Sequence, residues 1–189
     1  MINKQKIQEI HEQKPVRGLF GNINELPKTS GNYTIEKHPR MDFLVLRNSG
    51  VQLGTDQTGY ILGHNPGLLD IDFNLILIIG LGLGVIPYVV QDFCAVVDVV
   101  ESQQDVINCV NHLGHLNSNV NLILDDIETY VAEKTYDVIV LDIWYNEITD
   151  ELSNQMIEKY TQFLNSGAFL YIPINEGVRE DKVKIYNNN

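Results

Sequence analysis

Three glycines and four carboxylates carry most of the chemistry this chain can do. Gly80, Gly82 and Gly84 stand at alternate positions directly after the apolar run Leu-Ile-Leu-Ile-Ile at 75–79. Glycine takes left-handed backbone at no steric cost and lets main chain approach a ligand closely. A glycine cluster at the end of an apolar strand is therefore a turn suited to a nucleoside-type cofactor. The spacing narrows the choice. A Gly-x-Gly-x-x-Gly dinucleotide fingerprint would need its third glycine at Val85 or Pro87, which disfavours an NAD-linked enzyme. Glu101, the pair Asp125 and Asp126, and Asp142 each close a further apolar run. Carboxylates at such positions accept hydrogen bonds from hydroxyls and amines and attract cations.

These residues meet only if their strands are neighbours. Positions 95–101, 121–125, 136–142 and 168–172 read as strands rich in Val, Ile and Leu. Ser102 is a candidate N-cap, followed by Val106, Cys109, Val110 and Leu113 at helical spacing and by Gly114 as a stop. A short helix is expected over 127–133. Another should present Leu152, Met156, Tyr160, Phe163 and Leu164 and close at Gly167. Pro87 fits only the first turn of a helix. Alternation of this kind implies right-handed crossovers and an α/β fold with a doubly wound, mainly parallel sheet. The glycines and the acids then share one sheet edge, the edge where ligands of such sheets bind. Ahead of it, residues 1–17 read as a surface helix, 18–31 as a loop, 33–53 as a small antiparallel element and 59–72 as a linker.

Composition bounds the partners. The chain has 189 residues and a formal net charge of -12. From 48 to 133 it holds no Lys or Arg but eleven Asp or Glu. That stretch disfavours nucleic acid, NADP and coenzyme A, and favours a cationic ligand such as a sulfonium cofactor or a polyamine. Cys94 and Cys109 lie in apolar surroundings and imply core packing and a reducing compartment. No apolar stretch reaches the ~20 residues of a membrane span, and the N-terminus lacks a signal peptide's apolar core. The expectation is a soluble, cytoplasmic protein with no membrane partner. His112 and His115 at a helix end lack further ligands nearby in sequence, so no metal site is expected. His38 and His64 read as loop or surface residues.

Four segments taken together resemble class I S-adenosylmethionine-dependent methyltransferases. They are Ile-Ile-Gly80-Leu-Gly-Leu-Gly84, Val-Val-Glu101-Ser-Gln-Gln-Asp-Val-Ile, Asp125-Asp126-Ile-Glu-Thr-Tyr-Val and Tyr136-Asp-Val-Ile-Val-Leu-Asp142. Within that superfamily the chain most resembles the spermidine-synthase-like branch, whose catalytic domain also follows an N-terminal β-hairpin region. The resemblance spans residues 33–174. It implies a Rossmann-like cofactor-binding domain at 73–189, shortened at its C-terminus, after a helix, loop and small β-hairpin extension at 1–72.

The resemblance also implies roles. Gly80, Gly82 and Gly84 would pass under the amino-acid end of S-adenosyl-L-methionine. Glu101 would hold both ribose hydroxyls. Asp126 would accept from the adenine amino group, with Asp125 in the family's glycine position beside it. Asp142 would face the sulfonium and orient or deprotonate the acceptor. Tyr60 matches the tyrosine of the branch's Tyr-Gln-Glu but is followed by Ile61 and Leu62. Tyr145 stands where the branch has its second strand-four acid, and Gln103 where a second strand-two acid is usual. Asp142-Ile-Trp144-Tyr145 is loosely similar to the Asp-Pro-Pro-Tyr loop of amino-group methyltransferases, which makes Trp144 and Tyr145 candidate walls for an acceptor. Packing at the sheet edge is the equal alternative. The family's last two strands have at most 182–186 as a counterpart, so truncation, a pared-down fold and completion by a second copy stay open.

The leading expectation is a methyltransferase acting on a small molecule, an amine included. One alternative is aminopropyl transfer from decarboxylated S-adenosylmethionine to a polyamine. Another is a non-catalytic cofactor-binding or scaffold subunit in a homo- or hetero-oligomer that buries the edge after strand five.

Overall fold

The computed structural model describes residues 20, 25–56, 73–92, 94–143, 150–173 and 183–187. It opens with four antiparallel strands in sequential order: β1 (Lys28–Ser30), β2 (Tyr33–Lys37), β3 (Leu44–Asn48) and β4 (Val51–Thr55). The main sheet holds β5 (Leu75–Ile79), β6 (Val96–Glu101), β7 (Val120–Leu124), β8 (Tyr136–Leu141), β9 (Leu164–Pro173) and β10 (Val183–Asn187). Its order is β10-β9-β8-β5-β6-β7. The five strands from β5 to β9 run parallel, and β10 returns antiparallel along β9. The chain builds outward from β5 through β6 to β7, then crosses back to lay β8 on the other side of β5. That reversal makes the carboxyl ends of β5 and β8 the switch point of the sheet.

The reason for an unbroken apolar run in β5 is visible in its burial. Ile76, Leu77, Ile78 and Ile79 are all 0% exposed. Ile76 and Ile78 join one core with Val97, Val99, Val138 and Val140. Helices α1 (Val85–Val90) and α2 (Gln104–Leu113) cover that face with Ile86, Val89, Val106 and Val110. Leu77 and Ile79 face the other core with Ile139, Leu141 and Leu170, under Met156 and Tyr160 of α3 (Asp150–Thr161). Each such side chain contributes about 1.5–3 kcal/mol on burial. The first core continues into the N-terminal sheet through Ile35, Leu44 and Leu46.

Several local expectations are corrected. Residues 18–31 contain β1, which pairs with β2 from Lys28 opposite Ile35 to Ser30 opposite Tyr33, so the expected hairpin is a four-stranded sheet. The N-cap of α2 is Gln103, not Ser102, and its side chain makes no capping bond. The helix expected at 127–133 is a turn at 127–129. Helix α3 stops at Thr161, and Leu164 already pairs with Tyr136 in the sheet. Gly167 lies inside β9 at φ 78°, where the register with β8 shifts. The helical spacing of Phe163 and Leu164 therefore came from two different elements serving one core. The stretch 183–187 is a strand, as the sequence allowed.

Candidate functional site

The carboxyl ends of the central strands are stitched together by main chain. The Gly80 N–H donates to the Val100 carbonyl at 2.8 Å, and the Asp142 N–H to the Ile79 carbonyl at 2.8 Å. The Asp125 N–H donates to the Glu101 carbonyl at 3.2 Å. The glycine turn, Glu101, Asp125, Asp126 and Asp142 thus occupy one edge of the sheet, as their sequence positions required.

Glycine is demanded at Gly80. Its φ is 97°, and a Cβ there would lie 2.3 Å from the Asp142 carbonyl oxygen. The exits of β5 and β8 can approach this closely only without a side chain. Gly82 differs: at φ 51°, a Cβ would meet nothing within 4 Å. Its left-handed turn leaves a concave stretch of main chain that a ligand could lie against.

Glu101 is buried beside that turn. Its Oε2 accepts from the Leu81 N–H at 3.1 Å, and its Oε1 from the Gln103 N–H at 2.9 Å. One carboxylate therefore ties the first turn residue after Gly80 to the start of α2. Ser102 Oγ also donates to Oε1, at a long 3.5 Å, and since a carboxylate offers about four lone-pair sites a ligand diol would use the free site and displace this weak contact. The open turn at Gly82 and the acceptor capacity of Glu101 fit a ribosylated, cationic cofactor.

Asp125 and Asp126 are exposed and organise their own loop. Asp125 Oδ1 accepts from the Asp126 N–H at 2.7 Å, and Asp126 Oδ1 from the Glu128 N–H at 2.8 Å. The Asp126 carbonyl takes the N–H groups of Thr129 and Tyr130. This side-chain turn competes with helix and explains the missing one. Helix α3 pins the loop from below: Tyr160 Oη donates to the Ile127 carbonyl at 2.6 Å, and Lys159 Nζ to the Glu128 carbonyl at 2.6 Å. Asp142 is half-buried at the exit of β8. Tyr60, Trp144 and Tyr145, with His64, lie outside the described residues.

Away from this edge, Asp98 sits in mid-strand on β6 and accepts from Tyr136 Oη, Asn121 Nδ2 and Lys134 Nζ, each at 2.8 Å. Burial alone would raise its carboxyl. The bonds from Lys134, Asn121 and Tyr136 outweigh that and hold it below the usual range. Cys94 and Cys109 are buried, and burial pushes the Cys94 thiol up to about 12, far from a nucleophile's range. His112 is exposed on the last turn of α2, whereas the His115 ring turns inward against Gly84, so the two do not form a pair.

Two features escaped the sequence reading. One is the brace from Glu101 to the glycine turn, which an acid ending the strand next to that turn could have signalled. The other is the packing of His115 behind Gly84, a contact made 31 residues apart that no local pattern encodes.

No family model matches the chain, and no curated protein sequence matches it. Solved structures do. The N-methyltransferase NodS from Bradyrhizobium japonicum WM9 in complex with S-adenosyl-L-homocysteine aligns with a TM-score of 0.50 at 16% identity, over 61% of this chain and 58% of that one. A second structure of the same NodS aligns with a TM-score of 0.51 at 16% identity, over 62% of this chain and 65% of that one. The chain spans less than two thirds of the length of these NodS chains. Strand order, register and this likeness agree: the chain has the Rossmann-like methyltransferase fold, with an antiparallel sheet added at its N-terminal side.

Proposed function

We propose that this chain is an S-adenosylmethionine-dependent methyltransferase acting on a small molecule, with amines the first acceptors to try. One observation carries the reading: Glu101 lies buried at the carboxyl end of β6, beside the switch point, with its carboxylate bonded to the glycine turn at Leu81. That arrangement sets a diol acceptor next to an open stretch of main chain at Gly82.

When bound, S-adenosylmethionine supplies a methyl group activated by its sulfonium. The chain's own part is mainly positioning, which is where most of the rate gain in such a displacement comes from. Glu101 accepts the ribose hydroxyls. Gly80, Gly82 and Gly84 pass beneath the amino-acid end. Asp126 accepts from the adenine amino group, with Asp125 shaping the loop beside it. Asp142 orients the acceptor and takes its proton. Tyr60, Trp144 and Tyr145 are proposed as acceptor contacts on their sequence positions alone. The excess of acid over base between 48 and 133 favours a cationic cofactor and a protonated amine in the same cleft. The N-methyltransferase named among the similar folds accords with an amine acceptor.

The four-stranded N-terminal sheet favours a second reading, the spermidine-synthase-like branch and aminopropyl transfer. Tyr145 in place of that branch's second acid weighs against it. The test is incubation of the chain with methyl-labelled S-adenosylmethionine and a panel of small amines and alcohols. Labelled product with release of S-adenosylhomocysteine is expected. Product only from decarboxylated S-adenosylmethionine and a polyamine would select the second reading. Tight cofactor binding without turnover would select a scaffold subunit.

A further inference from the structure

His115 is fixed with unusual care for a residue outside the sheet edge. It follows Gly114, which caps α2 in left-handed conformation at φ 65°. Its carbonyl accepts from Gln91 Nε2 at 3.1 Å, and Gln91 Oε1 in turn accepts from the Asn117 N–H at 2.6 Å. Its ring lies 4.3 Å from the Phe20 ring and 5.3 Å from that of Tyr88, centroid to centroid. Phe20 is itself held by the far end of β4, its N–H donating to buried Asp56 Oδ2 at 3.0 Å. The other Asp56 oxygen takes the Leu44 N–H at 2.5 Å.

Both ring nitrogens of His115 are shut off from solvent, and their one polar neighbour among the described residues is the main chain of Gly84, which favours the protonated ring but less than burial disfavours it. Burial pushes the imidazole down to about 4, so it is neutral at pH 7. What polar contact the ring has is therefore directed at the glycine turn itself. The packing is as tight as the polar contact is local: a Cβ on Gly84 would lie 3.2 Å from His115 Nε2 and 3.0 Å from Val110 Cγ1. The ring stands between Phe20, tilted against it at 41°, and the last residue of the glycine turn, which meets its Nε2 edge.

We infer that His115 is a positioning residue for the cofactor turn, wedged by Phe20 and Tyr88 behind Gly84 so that it sets where the turn's main chain meets the ligand. This rests on the proposed cofactor site and adds to it a residue that touches no ligand. It also gives the N-terminal segment a part in binding, because Asp56 and Phe20 back the wedge.

The test is calorimetric titration of the full chain with S-adenosylhomocysteine, each protein held well below its own Tm so that all are equally folded. Wild type comes first. A folded wild-type chain that does not bind overturns the cofactor reading itself, and with it this inference. Given binding, His115→Ala is expected to weaken affinity about tenfold, and His115→Phe, which restores an aromatic ring of similar size at that place, to return it to within about threefold of wild type. A merely structural ring would lower Tm in His115→Ala and leave Kd unchanged, which overturns the proposal. Loss of affinity in His115→Phe equal to that in His115→Ala also overturns it. Should His115→Ala not fold, Phe20→Leu loosens the same wedge from its far side, and an unchanged Kd there counts against the proposal in the same way.

Discussion

Glu101 does two jobs at the scale of a single residue. It braces the Leu81 and Gln103 N–H groups, and it carries the proposed diol contact. Glu101→Gln keeps one carbonyl acceptor and loses the charge. Affinity for S-adenosylhomocysteine should fall at least about tenfold, by calorimetry, against a stability loss of about 1 kcal/mol by urea unfolding. His115 gives a pH signature. Its folded-state value is depressed to about 4 from an ordinary 6.5, so the unfolded chain takes up the proton first as pH falls. Its contribution to stability is complete above about pH 6.5 and is lost as pH drops toward 4, by up to about 3 kcal/mol. Asp56, raised by burial, has the opposite sign and offsets part of this near the bottom of the window. Urea midpoints at several pH values should show the loss, and His115→Phe should flatten it. Glu101 and the glycines were legible in sequence because an acid or a glycine breaks an apolar run at a visible place. The partners of Gly84 were not, because Val110 and His115 come from α2 and the chain just after it, and only the packing of that helix brings them to the turn.

The elements show where local pattern reads true and where tertiary pairing overrides it. Strands β5, β6 and β8 are buried on both faces and read as near-continuous apolar runs, and the acid buried in the middle of β6, Asp98, is tolerated because Tyr136, Asn121 and Lys134 all bond to it. Strand β1 is Lys-Thr-Ser, too short and too polar to show a period. Its pairing to β2 and its seat on α2 define it, through Ser30 Oγ donating to Asp105 Oδ1 at 2.6 Å and Asn108 Nδ2 donating to Ser30 Oγ at 3.2 Å. The loop after β7 was misread as helix because Asp125 and Asp126 give its N–H groups side-chain acceptors. The close exit of β5 and β8 carries its own prediction. Gly80→Ala must push the Asp142 main chain away or leave the β5 exit strained. It should cost about 2–4 kcal/mol in urea unfolding and displace both the turn and Asp142. A variant as stable as wild type would mean that the exits are looser than the 2.3 Å approach indicates.

Over the whole molecule, the two sheets share one core. Ile35, Leu44 and Leu46 of the N-terminal sheet lie in the same cluster as Ile76, Val97 and Val106. The linker read at 59–72 and the resemblance together put a domain boundary at residue 72, and we propose that energetically it is not one. Ile35→Ala, at a fully buried position, should cost about 2–5 kcal/mol. Unfolding should stay a single transition, coincident by near- and far-UV circular dichroism. Two separated transitions would show that the N-terminal sheet folds on its own. Among the described residues no helix is long and apolar enough to cross a membrane. The formal charge of -12 leaves the molecule suited to cationic ligands and unsuited to polyanions.

The most direct test of the central claim is titration of the intact chain with S-adenosylmethionine, read by calorimetry and by the ligand's effect on Tm. One-site micromolar binding, a rise in Tm with ligand and a weakening of both in Glu101→Gln are expected. A folded wild-type chain that gives neither heat nor a shift in Tm at millimolar cofactor would contradict the account.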